Sequence, residues 1–238
     1  MENEPKPERR RYTVEEYLAF DEASEGKYEY IDGYIIPWGE GFVPDALLTS
    51  TKGSVEDYFS LDTDSDVRYE YFSGDIVTRD DNTPARLALL GNLVNHFNEA
   101  LAGGPLRSWF QSLRVKASTD HYFYPDVCIT GSGTEYLPTR PPTTTNPIVI
   151  VEFADRGLND MTRGWKLEPY RSLPSVQHCV LVSPKSPRVE LWTRKEMGRW
   201  TISDLKSLDA LLDLGAIDLK IPIANIYEGI EFTTQSEL

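Results

Sequence analysis

Two acidic residues stand in apolar, strand-like runs of this chain, and a lysine follows the second one a helix later. Asp126 lies in Tyr122–Ile129 and Glu152 lies in Ile148–Phe153, and both runs are rich in β-branched and aromatic residues. A carboxylate in a core strand is costly unless a positive charge or hydrogen bonds compensate it. A bound divalent cation is one candidate partner, and Lys166, in a predicted helical segment, is placed to reach the same pocket.

Each of these residues also has an ordinary structural explanation when it is considered alone. Asp126 follows a proline, and aspartate is common at such turns and strand ends. Glu152 is also explained by a structural salt bridge with Lys166 or Arg171. A lone helix lysine is most often solvated, so the functional hypothesis depends on the ordered combination of the three residues.

Other hydrolytic chemistries have little support in the sequence. The three histidines, His96, His121 and His178, are not at metal-ligand spacing, which argues against a zinc hydrolase. The chain has no Gly-x-Ser-x-Gly motif, P-loop or dinucleotide fingerprint. Cys128 and Cys179 lie in apolar runs, which predicts buried thiols in a reducing cytoplasm and not a secreted disulfide framework.

The formal net charge of −14 is unfavourable for contact with nucleic-acid phosphates. Residues 1–82 hold 21 acidic and 8 basic residues, whereas residues 83–238 hold 17 and 16, so the excess is almost entirely N-terminal. The part of the chain with the candidate site is therefore close to neutral. Residues 1–11 are charged and have no apolar stretch, which predicts a flexible tail and neither a signal peptide nor a membrane anchor.

The first eighty residues contain a tandem duplication with a constant offset of 41 residues. Each copy predicts a short capped helix followed by a β-hairpin. Only the second copy continues into a long amphipathic helical segment, Ala85–Ala102. The first copy, within residues 12–53, is therefore predicted to be an N-terminal extension, and residues 54–232 are predicted to form the main domain.

The rest of the chain predicts an α/β or α+β fold, with a mixed central sheet flanked by helices. The segment 131–147 is rich in Thr, Pro and Gly and is predicted to be a loop. The predicted strands are Leu106–Ala117, Tyr122–Ile129, Ile148–Phe153, Cys179–Ser183, Arg188–Thr193 and Arg199–Ser203.

The ordered aspartate, glutamate and lysine resemble the site of the PD-(D/E)XK nuclease superfamily. The likeness sharpens to the Uma-two (Uma2) family of restriction endonuclease-like proteins and runs from about Thr13 to Phe232. In that family the lysine lies on the helix, and the position two residues after the glutamate is Ala154 here, so Lys166 is the candidate. The segments that carry the resemblance are Tyr69–Ile76, Tyr124–Val127, Ile150–Phe153, Arg163–Ser175 and Val180–Val182.

The resemblance implies a restriction-endonuclease-like fold and metal-dependent hydrolysis of DNA phosphodiester bonds. Asp126, Glu152 and the Phe153 carbonyl would bind Mg²⁺ or Mn²⁺, which prefer oxygen ligands. Lys166 would orient the attacking water or stabilise the charge of the transition state. Glu70 matches an auxiliary acidic position of the family, where it would take part in catalysis by holding a metal-bound water or a second ion.

Several further expectations accompany this assignment. Glu29, the duplicate of Glu70, is the rival for the auxiliary position. Arg86, Arg163 and Arg171 are candidates for binding the substrate DNA. A homodimer is expected because cutting both strands of a duplex usually takes two sites, and the expected location is the cytoplasm.

Three places depart from the family pattern. Arg86 stands where many members have a histidine, residues 155–158 read Asp-Arg-Gly-Leu in place of Ser-Pro-Ser-Thr, and Thr162 replaces an aspartate. A catalytically inactive nuclease-fold protein that binds nucleic acid or another protein is the alternative function, and the acidic N-terminal half favours it.

Overall fold

The computed structural model describes residues 7, 12–24, 26–31, 34–37, 50–63, 65–79, 83–154 and 165–232. Within them, mixed sheets and few helices confirm the predicted α+β class. The helices are α1 (Val14–Ala23), α2 (Val55–Thr63), α3 (Pro84–Ala100), α4 (Leu167–Ser172) and α5 (Ile223–Ile226). The strands are β1 (Tyr28–Ile31), β2 (Tyr34–Pro37), β3 (Thr51–Lys52), β4 (Tyr69–Phe72), β5 (Asp75–Thr78), β6 (Arg107–Phe110), β7 (Arg114–Lys116), β8 (His121–Phe123), β9 (Val127–Thr130), β10 (Tyr136–Leu137), β11 (Thr143–Thr144), β12 (Val149–Phe153), β13 (His178–Val182), β14 (Val189–Arg194), β15 (Trp200–Leu205), β16 (Leu211–Leu214) and β17 (Leu219–Pro222).

The tandem duplication forms two helix–hairpin units with the same local contacts. At the start of α1, Thr13 and Glu16 exchange side chain to backbone hydrogen bonds, and Ser54 and Asp57 do the same before α2. This reciprocal pairing satisfies amide groups that the first turn of a helix leaves without partners. The predicted capped helices are therefore confirmed in both copies.

The two hairpins differ in the strands with which they pair. Strands β1 and β2 form a two-stranded sheet in which Glu29 is opposite Ile36. Strands β4 and β5 have the equivalent register, with Glu70 opposite Val77, but they also pair with β8 and β3 in a seven-stranded sheet. The second hairpin is thus built into the main fold, and Glu70 is buried there.

Strand β12 lies inside a six-stranded sheet of order β15-β14-β13-β12-β9-β6. It runs parallel to β13 and antiparallel to β9. A parallel pair needs a crossover connection, and the chain between β12 and β13 contains α4. The crossover brings the start of α4, where Lys166 is located, back toward the sheet.

The predicted pairing of Leu106–Ala117 with Tyr122–Ile129 is present, but each segment is broken in the middle. Strand β6 pairs with β9 in the six-stranded sheet, and β7 pairs with β8 in the seven-stranded sheet. Gln111, in one break, has a φ of 49°, a left-handed conformation that ends a regular strand. Asp126 lies in the other break, so the pair of segments passes from one sheet to the other at this residue.

Side chains from helices cover both faces of the central strand β12. On one face the buried side chains of α3, Leu89, Leu93 and Phe97, share a hydrophobic cluster with alternate residues of β12. On the other face Leu167 and Tyr170 of α4 pack in a second cluster. Successive residues of a strand point to opposite faces, so Glu152 shares the face that α4 covers.

The two cysteines lie on strands on either side of β12. Cys128 and Cys179 both pair in register with Ile150, and both are free and buried. Burial raises the pKa of both thiols, that of Cys179 to about 12. The thiols are therefore protonated side chains of the core, as the sequence predicts.

None of the helices in the described parts of the chain is both long and apolar enough to span a membrane.

Candidate active site

The candidate site forms where the broken strand pair meets the end of β12. The last registered pair between β9 and β12 is Val127 with Val151, and Asp126 and Glu152 are the next residues toward the site. Both carboxyl side chains are buried, at 0% and 2% relative exposure. The antiparallel register therefore explains how two residues far apart in sequence come to lie at one end of the sheet.

The Asp126 carboxylate accepts hydrogen bonds on both of its oxygens. Oδ1 accepts from Arg79 Nη2 at 2.5 Å and from Gln111 Nε2 at 2.9 Å. Oδ2 accepts from the Phe153 backbone amide at 2.6 Å and from Arg86 Nη2 at 3.4 Å. Two guanidinium groups thus compensate one buried carboxylate, which satisfies the requirement that its burial imposes.

Lys166 lies between the other two acidic residues of the site. Its Nζ is 2.7 Å from Glu70 Oε2 and 3.5 Å from Glu152 Oε1. Glu70 also accepts the Tyr124 backbone amide at 2.9 Å, and Glu152 accepts the Tyr170 hydroxyl at 2.8 Å. The Lys166 side chain is only 6% exposed, so its ammonium is directed into the pocket and not into solvent.

The electrostatic state of the three predicted residues follows from burial and these contacts. For Asp126, burial raises the pKa, but the Arg79 and Arg86 guanidinium groups and the Phe153 amide outweigh it, and the pKa is lowered. For Glu152, burial outweighs the opposing Lys166 ammonium and raises the pKa to about 8. For Lys166, burial lowers the pKa, but the Glu152 and Glu70 carboxylates prevail and raise it. Burial thus favours the protonated form of Glu152, whereas the contacts of Asp126 and Lys166 favour their charged forms.

These shifts predict how the stability of the metal-free protein depends on pH. The pKa of Glu152 is raised in the folded state from 4.5 to about 8. Between these values the folded protein keeps a proton that the unfolded chain releases, so raising the pH favours unfolding. We expect the free energy of unfolding of the wild type to fall, relative to Glu152→Gln, from about pH 5 to about pH 8.

Urea unfolding in the presence of a chelator, at several pH values for both proteins, measures this difference. Glu152→Gln is a matched control because its amide oxygen can still accept the Tyr170 hydroxyl but has no titration in this range. A difference in stability that stays constant with pH contradicts the raised pKa.

The structure places the other predicted residues as follows. Glu70 is at the site, whereas its duplicate Glu29 is on β1 in the separate two-stranded sheet. Arg86 reaches Asp126, and Arg171 stacks on the Trp192 ring at 4.4 Å on the α4 side. Arg163 lies outside the described residues.

The donor types at the site suit a hard divalent cation, although the oxygens are already engaged. Asp126, Glu152 and the Phe153 carbonyl are oxygen donors of the kind that Mg²⁺ and Mn²⁺ prefer. Within the described residues no group of three or more His, Cys, Asp or Glu side chains is arranged to hold a metal ion. The predicted ligands are two carboxylates and one backbone carbonyl. Each already accepts a hydrogen bond, Asp126 and the Phe153 carbonyl from Arg86 and Glu152 from Tyr170.

Sequence reasoning missed the side chains that hold the carboxylates. Arg79 directly follows β5, with its side chain 7% exposed, and Gln111 lies in the break between β6 and β7. Tyr170 was within the motif that carries the resemblance but had no role assigned to it. A basic residue at the end of an apolar strand, as at Arg79, is the one signal that the sequence offered.

The chain is similar to one described protein family and to two Synechocystis proteins. The family model described as “Uma2: Putative restriction endonuclease” matches residues 55–223. A Synechocystis sp. (strain ATCC 27184 / PCC 6803 / Kazusa) protein named “Uncharacterized protein slr1290” is 27% identical over 223 residues, which cover 93% of this chain and 94% of that protein. “Uncharacterized protein sll1609” of the same organism is 25% identical over 97 residues, covering 41% and 55%.

A solved structure shares the fold. It is the crystal structure of “a putative nuclease belonging to DUF820” from Anabaena variabilis ATCC 29413, with a TM-score of 0.59 and 14% sequence identity. The match covers 74% of this chain and 97% of that chain. At this identity the likeness establishes the fold, and it confirms the predicted restriction-endonuclease-like architecture.

Proposed function

Because the chain belongs to the Uma2 family, described as “Putative restriction endonuclease”, we propose that it hydrolyses DNA phosphodiester bonds with a divalent metal ion. The main support is the convergence of Lys166 with Glu70 and Glu152 at the end of β12 that Asp126 also borders. These residues come from separate elements of the chain. Burial of three carboxylates and an ammonium in one place has a cost that a functional site explains.

In this proposal Asp126, Glu152 and the Phe153 carbonyl would hold Mg²⁺ or Mn²⁺. A bound cation of this kind acts as a Lewis acid and lowers the pKa of a water molecule. The ionised state of Asp126, which the neighbouring guanidinium groups maintain, suits it as a ligand. Glu152 must release its proton before it can serve as one, because only the carboxylate is a strong ligand.

Lys166 would provide a positive charge in addition to that of the metal ion. Its ammonium orients the attacking water or stabilises the charge that develops on the phosphate oxygens. Glu70 fixes the ammonium through both carboxylate oxygens, at 2.8 and 2.7 Å. Glu70 is therefore a positioning residue that acts through Lys166.

The remaining parts of the proposal concern partners and location. DNA is the proposed substrate, with Arg86, Arg163 and Arg171 as the candidate substrate-binding residues. A homodimer would provide one site for each strand. A cytoplasmic location is consistent with two buried cysteines that do not form a disulfide.

The proposal is tested by incubating the purified protein with supercoiled, linear and single-stranded DNA in Mg²⁺ or Mn²⁺. We expect cleavage that a chelator stops and that the Asp126→Ala, Glu152→Ala double variant lacks. Circular dichroism of the double variant checks that it is folded. No metal-dependent cleavage of any of these substrates by the wild type contradicts a nuclease.

A non-catalytic nucleic-acid or protein binding module is the second candidate. It is favoured by the pairing of Asp126 with two guanidinium groups, which compensates the carboxylate without a metal ion. Fluorescence anisotropy with labelled DNA distinguishes a binding module from a nuclease. A binding module should bind DNA with an affinity that neither Mg²⁺ nor a chelator changes.

A further inference from the structure

Arg86 is held at the site by the start of helix α3. Thr83 is the N-cap residue of this helix, and its hydroxyl accepts the Arg86 backbone amide at 3.3 Å. Pro84 at the first helical position fixes the direction in which the chain enters the helix. Arg86 is therefore in the first turn, and its guanidinium stacks 5.3 Å from the centre of the Phe153 ring.

The guanidinium of Arg86 binds two oxygens that belong to the proposed metal ligands. Nη1 donates to the Phe153 carbonyl at 3.0 Å, and Nη2 lies 3.4 Å from Asp126 Oδ2. The planar fork of an arginine suits such a two-point contact with oxygen acceptors. A single side-chain cation thus contacts both the aspartate and the backbone carbonyl that would hold the metal ion.

The charges around the site are consistent with this substitution of one cation for another. Among the described residues, three acidic side chains at the site, Glu70, Asp126 and Glu152, face three basic ones, Arg79, Arg86 and Lys166. With Glu152 ionised, as metal binding requires, removal of Arg86 from the cluster would leave an excess of negative charge. A divalent cation would compensate that excess.

We propose that Arg86 is an internal cation that exchanges with the metal ion: its guanidinium holds Asp126 and the Phe153 carbonyl until Mg²⁺ or Mn²⁺ displaces it. This inference rests on the metal site of the proposed function and adds a competitor to it. The Arg86 side chain is 12% exposed, so part of it contacts solvent at the edge of the site. Once displaced, the guanidinium is free to contact a DNA phosphate, as the geometry of arginine favours.

The exchange predicts that metal binds more tightly when Arg86 is removed. Calorimetric titration of the full-length wild type and of Arg86→Gln with MnCl₂ and MgCl₂ measures the dissociation constants directly, without any assay of activity. We expect about tenfold or tighter binding by Arg86→Gln, since the metal no longer has to break hydrogen bonds between charged groups. Arg86→Lys keeps the charge but has no planar fork, so its affinity should be intermediate, and it serves if Arg86→Gln does not fold.

Thermal unfolding provides a second readout in the same proteins. Without metal, Arg86→Gln should unfold at a lower temperature than the wild type, because Asp126 has lost one of its two cations. Saturating Mn²⁺ should raise the unfolding temperature of Arg86→Gln more than that of the wild type. Arg107→Gln is the matched control, because Arg107 is exposed and, among the described residues, its side chain donates to the backbone carbonyls of Gly104 and Leu106.

The outcomes separate this proposal from the proposed function. Arg107→Gln should stay within about twofold of the wild type, as expected for a surface substitution. Equal affinities for Arg86→Gln, Arg86→Lys and the wild type overturn the exchange and leave the metal site intact. No metal binding by any of these proteins overturns both the exchange and the metal site.

Discussion

Replacing Glu152 by glutamine is expected to reduce metal-dependent DNA cleavage by about 10³-fold or more, because metal-ion catalysis contributes several kcal/mol of transition-state stabilisation. The substitution keeps the size of the side chain, and its amide oxygen can still accept the Tyr170 hydroxyl at the position of Oε1. Lys166 keeps its closer partner Glu70. The loss should therefore come from the missing carboxylate ligand and not from collapse of the site.

Glu190→Gln is the matched control for this experiment. Glu190 is also a buried glutamate of the six-stranded sheet, but it lies on β14, two strands from β12, and accepts the Trp192 indole at 2.6 Å. Cleavage rates of plasmid DNA are measured for both variants at saturating Mg²⁺. Equal rates for Glu152→Gln and Glu190→Gln contradict the role of Glu152 in catalysis.

Replacing Asp62 by alanine is expected to destabilise the fold by about 3–5 kcal/mol, the usual effect of removing one partner from a buried ion pair. Asp62 and Arg114 are both fully buried, and Arg114 Nη1 lies 2.7 Å from Asp62 Oδ2. Asp62 also accepts the Tyr124 hydroxyl at 2.6 Å and the Tyr69 amide at 3.0 Å. Tyr124 connects this pair to the candidate site, because its hydroxyl binds Asp62 and its backbone amide binds Glu70.

A double-mutant cycle separates the pair from its surroundings. Asp62→Ala combined with Arg114→Met should be more stable than Asp62→Ala alone, because no uncompensated charge remains buried. Breaking the exposed Lys220–Asp213 pair by Asp213→Asn should cost less than about 1 kcal/mol. Urea unfolding gives all of these values. A double variant that is less stable than either single variant contradicts the account of the buried pair.

The sequence predicted those parts of the fold that local patterns determine. The repeat at 41 residues identified both helix–hairpin units, and the spacing of apolar residues predicted α3 almost to its ends. Glu152 of β12 was predicted to be functional because it interrupts a run of β-branched residues. Lys166 was predicted from its order after the two acidic residues and from the family resemblance, since a helix lysine alone has no distinguishing pattern.

The break in the strands and the partners of the arginines could not be predicted from the sequence, because both depend on how distant elements pack together. The left-handed conformation of Gln111, at a φ of 49°, divides the strands between two sheets, and glutamine has no special preference for that conformation. Arg79 reaches Asp126 across 47 positions in the chain, and Arg86 reaches Phe153 across 67. Such partners are chosen by the packing of distant elements, so the local sequence does not indicate which residue either arginine contacts.

The proposed catalytic roles require that Asp126, Glu152 and the Phe153 carbonyl bind one hard cation. An anomalous difference map from crystals grown with Mn²⁺ would locate that cation. We expect a manganese peak within about 2.5 Å of an oxygen of each residue, with the Arg86 guanidinium moved away from Phe153. A map with no such peak, in which Arg86 still bridges Asp126 and Phe153 at saturating manganese, would contradict it.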